Sequence, residues 1–243
     1  MENGKYEGEV KLKSPFLQKL ENFWYHYKWY AIVGVFLVFC GVVLTLQMCQ
    51  RTSFDAHIIY AGNYEIKRVG ESGDTAPYNK TLGELKLVVP DFDGDGTVNL
   101  DLRNLFVVND EEAEELVSGL DGYEINAQLV KEDTDTLYQL MLMSDYYVCF
   151  LSERLFLEYS ERYDGIFEPI SKYTDPEREY SYASECGIYL SSVGDFATLS
   201  EISKLPSDTV VCIRALSEMS ESRYSDTFED AEVIIKNILC YEK

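Results

Sequence analysis

The chain has 243 residues, of which 46% are hydrophobic and 14% aromatic; that is enough apolar material for a packed core and excludes a globally disordered polymer. Residues 1–51 carry six Lys/Arg and four Glu, so the 21 basic and 43 acidic residues of the whole chain leave 15 and 39 for residues 52–243, a net −24 there. Charge of that sign and size repels phosphate backbones and anionic headgroups, which excludes nucleic acid as a partner and favours cations or basic partners. It also serves solubility alone.

Residues 1–13 are predicted to be unstructured. Ser14-Pro15 has the form of a helix N-cap followed by proline at the first helical position. Phe16, Leu17, Leu20, Phe23 and Trp24 then recur at helical spacing. From Tyr30 to Met48 no residue is charged. At 1.5 Å per residue such a helix approaches the roughly 30 Å of a bilayer's hydrocarbon core.

A buried soluble helix rarely runs that far without a charge. Phe23, Trp24, Tyr25, Tyr27, Trp29 and Tyr30 crowd one edge of the run, where amphipathic rings settle at headgroup level. Lys11, Lys13, Lys19 and Lys28 precede it and Arg51 alone follows closely, so the positive-inside rule puts the N-terminus in the cytoplasm. A cleaved signal peptide would have a shorter apolar core ending in small residues, whereas this one ends in Gln47-Met48-Cys49-Gln50. The predicted organisation is a cytoplasmic tail and juxtamembrane helix over 1–28, a transmembrane signal anchor over 29–49, a linker over 50–54 and an extracytoplasmic domain over 55–243.

In that domain AHIIYAG reads as a first strand, residues 63–80 as mostly loop, and TLGELKLVV as a helix ending before Pro90. DFDGDG is a turn-forming cluster. Val98, Leu100 and Leu102 alternate with Asn99, Asp101 and Arg103, the period of a half-buried strand. Asn109 and Asp110 can cap a helix over DEEAEELVSGL, and a second helix is predicted over Ile125–Met143. YYVCFLS, GIYLSS and TVVCIRALS read as strands. A helix capped by Ser152 follows the first of these, then a proline turn at IFEPISKY, and a last helix is predicted from about Asp226 to Cys240. Alternating strands and helices predict an α/β domain of three layers around a mixed sheet.

Of the four cysteines in this domain, Cys149, Cys186, Cys212 and Cys240, none shows CxxC spacing. Cys149 and Cys212 fall in apolar strands, and free thiols are expected for most. Sequence does not choose a pairing scheme.

The run from AHIIYAG to IFEPISKY, about 115 residues, resembles in its pattern one lobe of the extracellular solute-binding proteins of ABC transporters. LYQLMLMSDYYVCFLSERLFLEYSERYDGIFEPI carries the likeness: a helix, a short apolar strand, a second helix and an F-x-P loop. The resemblance implies a lobe-like fold and a small solute or protein as partner. The segment LENFWYHYKWYAIVG is also similar to small membrane-anchored proteins of Clostridia-like bacteria.

Asp91-Phe92-Asp93-Gly94-Asp95-Gly96-Thr97-Val98-Asn99 resembles the calcium loop of EF-hands and dockerins. The resemblance implies side-chain oxygens from Asp91, Asp93 and Asp95, the carbonyl of Thr97 and a direct or water-bridged contact from Asn99. The twelfth position, an acid in that family, is Leu102, and Asp101 is the acid beside it. Strand alternation points Asp101 away from Leu102. Three alternating aspartates repel one another without a cation, yet Asp and Gly also make solvated turns for backbone reasons. The sequence leaves both readings open.

No catalytic set is legible. His26 lies in the aromatic belt, and His57, in the first strand, reads as a satisfied structural residue with no nucleophile elbow beside it. The pairs Glu111-Glu112 and Glu114-Glu115 sit on a helix predicted to face solvent. The expected function is a membrane-anchored extracytoplasmic binding or interaction module without catalysis. The alternative is an accessory subunit of a membrane transport complex.

Overall fold

A computed structural model describes residues 15–49, 53–66, 76–119, 125–217 and 221–243. Residues 1–13, expected to be unstructured, the expected N-cap Ser14 and the linker residues Gln50–Thr52 lie outside these. The chain divides into two compact units, Met1–Thr52 and Ser53–Lys243.

The described part of the first unit is one helix, α1 (Pro15–Cys49), as the unbroken helical pattern predicts. It bends by 41° between Phe23–Tyr30 and Ile32–Thr45. Among the described residues no single straight helix is long and apolar enough to cross a membrane; these two runs together meet that requirement of length and composition. Their apolar side chains are exposed, with Trp29 and Val35 both at 71%.

The second unit carries six strands: β1 (Ala56–Gly62), β2 (Leu100–Phe106), β3 (Val148–Ser152), β4 (Tyr182–Ser184), β5 (Gly187–Tyr189) and β6 (Thr209–Ile213). They form one sheet in the order β2-β1-β3-β6-β5-β4. β1 pairs in parallel with β2 and β3, whereas β6, β5 and β4 join antiparallel. The sheet is mixed, and the domain is α/β.

Helices cover both faces, and strand alternation assigns the side chains. Ile58, Tyr60, Val148, Phe150, Val211 and Ile213 face a core shared with α2 (Ala76–Leu85) and α6 (Glu221–Leu239), where Ala231, Ile234, Ile235 and Ile238 give α6 its apolar stripe. Ile59, Ala61, Cys149, Leu151, Val210 and Cys212 face the opposite core, closed by Leu137 and Met141 of α4 (Ala127–Met143) and by Leu155, Phe156 and Tyr159 of α5 (Glu153–Arg162). Each of the larger buried side chains contributes roughly 1.5–3 kcal/mol. β1, β3 and β6 are apolar on both sides because helices lie on both sides.

Local signals set several boundaries. Asn109 and Glu112 make a reciprocal capping box at α3 (Asp110–Gly119): each accepts the other's backbone N–H, at 2.8 and 3.0 Å. Asn126 caps α4 through Gln128 and Leu129. Three readings are corrected. α2 starts at Ala76, inside the predicted loop. Ser152 precedes α5 but makes no side-chain cap; the first N–H of that helix goes instead to the carbonyl of Asp208, held beside it by the β3–β6 pairing. α6 begins at Glu221, earlier than Asp226, with Tyr224 off helical geometry at φ −130°.

Candidate functional site

The aspartate loop leaves α2 through Val88 and Val89, which are buried, and enters β2 at Leu100. Between them the backbone folds on its own carboxylates. Asp91 accepts N–H bonds from Gly94 (2.8 Å) and Gly96 (2.9 Å). Asp93 accepts from the N–H of Asp95 at 3.0 Å, and Asp95 from the N–H and hydroxyl of Thr97 at 2.7 and 2.6 Å. Gly94 and Gly96 sit at φ 71° and 86°, the left-handed region where a side chain is strained, so the two glycines let the chain curl round these oxygens. The Thr97 bonds hold the Asp95 carboxyl below its ordinary range.

A residue outside the motif organises the loop. Asp55, just before β1, is buried at 6% exposure and accepts N–H bonds from Phe92 (2.8 Å), Asp93 (3.4 Å) and Asn99 (2.7 Å). Its own N–H donates to the Asn99 carbonyl at 2.8 Å. Carboxylate oxygens of Asp55, Asp91 and Asp93 lie within 4.8 Å of one another. Each oxygen has two lone pairs, so an oxygen that accepts a single N–H, such as Asp55 Oδ2 from Asn99, keeps capacity for a cation. Negative charge accumulates further on α6: burial first, then Asp226, Glu229 and Asp55, pushes the Asp230 carboxyl above its ordinary range.

Asp55 was not legible as part of this site because it stands 36 residues before Asp91, and only the parallel pairing of β1 with β2 joins them. Of the expected ligand residues, the structure brings together Asp91 and Asp93. Asp95, Thr97 and Asn99 follow in the same loop, with the Asn99 amide donating to the Thr97 hydroxyl at 3.3 Å. Asp101 does not join them. As alternation predicts, its carboxylate turns to the α4 side of the sheet, where it accepts the Tyr146 hydroxyl at 2.5 Å and pairs with Arg103 at 3.3 Å.

That second cluster holds His57. Its Nε2 lies 3.6 Å from Asp145 and its Nδ1 4.0 Å from Asp101, with the Tyr146 ring 4.9 Å away. Nδ1 is buried without a hydrogen-bond partner, so His57 is not the fully satisfied residue the sequence suggested. Burial pushes the Tyr146 phenol up to about 12. Neither a serine nor a cysteine is hydrogen-bonded to His57 among the described residues.

Cys40, Cys149, Cys186, Cys212 and Cys240 are free thiols, Cys149 and Cys212 of them buried. Burial and the neighbouring Cys149 hold the Cys212 thiol well above its ordinary range.

Comparison with known protein families, with curated proteins and with solved structures gives no match.

Proposed function

We propose that this chain is a single-pass membrane protein whose α/β domain is an extracytoplasmic binding or interaction module, with a protein or a small solute as its partner and no catalytic step. The observation that carries the reading is α1: a long apolar helix whose large apolar side chains from Phe23 to Leu44 are largely exposed, with an aromatic and basic edge on the side of the N-terminus. The acidic domain is compact in its own right, with a core on each face of its sheet. The likeness of its pattern to one solute-binding lobe supports a binding role. Labelling intact cells with a membrane-impermeant amine reagent tests the reading; it requires reaction at Lys204 or Lys243 and none at Lys11 or Lys13.

Calcium belongs to the same proposal, as a structural ion. The DxDGDG motif and the approach of Asp55, Asp91 and Asp93 support it. Asp55 would supply the acid that Leu102 does not, beside oxygens of Asp91, Asp93, Asp95, Thr97 and Asn99. The ion's chemistry here is charge neutralisation and cross-linking of the loop to β1. Thermal unfolding with calcium and with chelator tests this, because a ligand of the folded state raises the midpoint.

The alternative, an accessory subunit of a membrane complex, draws on the exposed rings of Phe23–Tyr30 as a contact surface within the bilayer interface. Replacing α1 by an unrelated anchor would abolish partner recovery on that reading and preserve it on the first.

A further inference from the structure

β2 is an edge strand, and its outward backbone is unevenly covered. The Asn99 carbonyl accepts from Asp55 and the Val107 N–H donates to Gly62, so the odd-numbered residues of β2 pair with β1 and Leu102, Asn104 and Phe106 turn outward. The Leu102 carbonyl accepts the Tyr78 hydroxyl at 3.0 Å, and the Phe106 N–H donates to Asp133 at 2.8 Å. Such side-chain caps are how native edges avoid pairing. Between the two caps, the main-chain N–H and C=O of Asn104 have no partner among the described residues; its side-chain amide is occupied by the backbone of Ile66, at 3.1 and 3.3 Å.

The gap opens onto a groove of about 510 Å³ between this edge and α4, lined by Leu129 and Asp133 of α4, by Glu65 and Ile66, and by Arg103 of β2. Arg103 already donates to Tyr146 at 2.9 Å and pairs with Asp101. Asp133 is likewise engaged, by the Phe106 N–H, so the exposed carboxylate of Glu65 sets the sign of the groove, and the domain around it carries net negative charge.

We propose that this groove takes a short, extended, basic peptide segment, one residue of which exchanges two main-chain hydrogen bonds with Asn104. The inference rests on the reading of the domain as a binding module and names its partner class. Main-chain pairing along an edge gives affinity to any extended chain, and flanking side chains give selectivity. Here Tyr78 and Asp133 limit pairing to the centre of β2, and Glu65, within a domain of net negative charge, selects cationic side chains. Leu129, 39% exposed, offers apolar surface to the stems of lysine or arginine.

The test uses full-length protein in phosphatidylcholine nanodiscs and a fluorescein-labelled hexapeptide of alternating lysine and threonine, followed by anisotropy. Saturable binding is expected. Full N-methylation of the peptide should weaken it about tenfold or more, since it removes the paired amides. Leu129→Lys, an exposed substitution that puts like charge into the groove, should weaken it similarly while leaving the unfolding midpoint in place. Hydrogen exchange at the Asn104 amide should slow on binding. Equal affinity for the N-methylated peptide, indifference to Leu129→Lys, or no saturable binding into the millimolar range would each overturn the proposal. Surface labelling reads the module's location without any peptide, so failure of this assignment and failure of the functional reading are separable.

Discussion

Removing the Asp55 carboxylate is the most informative single change in the domain. In Asp55→Ala the N–H groups of Phe92 and Asn99 lose acceptors at 2.8 and 2.7 Å, and that of Asp93 a weaker one at 3.4 Å. Hydrogen bonds to a charged group are worth about 1.5–3 kcal/mol each. Two good ones give roughly 3–6 kcal/mol, from which relief of burying a charge at a 6%-exposed position subtracts. The expected loss is about 3 kcal/mol, a large share of the ~5–15 kcal/mol typical of a folded domain. With a urea slope of about 2 kcal/mol/M, the midpoint should fall by ~1.5 M. Asp55→Asn keeps one acceptor oxygen but turns amide hydrogens toward a backbone donor, so it should recover only part of that loss. Near-UV circular dichroism of the full chain in detergent is a suitable assay: Trp24 and Trp29, the only tryptophans, lie in α1, whereas 15 of the 19 tyrosines lie in the domain, so the tyrosine signal reports chiefly on it. A midpoint shift below ~0.3 M for Asp55→Ala would refute the assignment of Asp55 as the loop's anchor.

Other perturbations have equally definite outcomes. A Cβ at Gly187 would stand 2.6 Å from Val210 Cγ1 and 2.7 Å from Phe156 Cζ, so Gly187→Ala should cost about 1–3 kcal/mol by overpacking, read from urea midpoints. The Arg214 guanidinium, 2% exposed, donates to the carbonyls of Met141, Ser144 and Tyr146 and lies 4.5 Å over the Tyr147 ring; Arg214→Met should lose about 3 kcal/mol by leaving these buried acceptors unmet, and Arg214→Lys should restore only part of it. Because the Asp230 carboxyl is raised in the folded protein, its stabilising contribution holds below the unfolded value and is lost as pH rises through the folded one. Asp230→Asn should therefore raise the Tm at neutral pH and leave it unchanged near pH 3, a contrast that scanning at the two pH values would show.

The elements with strong local signals were readable in the sequence. The Asn109 capping box, the apolar run of β3 and the stripe on α6 state their structure within a few residues of chain. β4 was missed because a three-residue strand with exposed Tyr182 carries no periodicity, and it exists only by pairing with β5. α2 starts before the predicted helix because Ala76 and Pro77 read as loop residues, although proline suits the first turn of a helix. The site divided along the same line. The turn Asp91–Asn99 was plain from its own spacing, and alternation correctly separated Asp101 from Leu102. The roles of Asp55 and Asn104 depend on bonds across strand pairing and loop closure, with partners 37–44 residues away in the first case and 38 in the second. No local pattern encodes such contacts.

The central claim is that the acidic domain lies outside the cytoplasm, held by α1. Intact cells expressing the full chain should be treated with an added protease and the products sized. The account predicts loss of the 53–243 domain and survival of a protected fragment containing α1. Full protection of the domain in intact cells, with cleavage only after lysis, would contradict it.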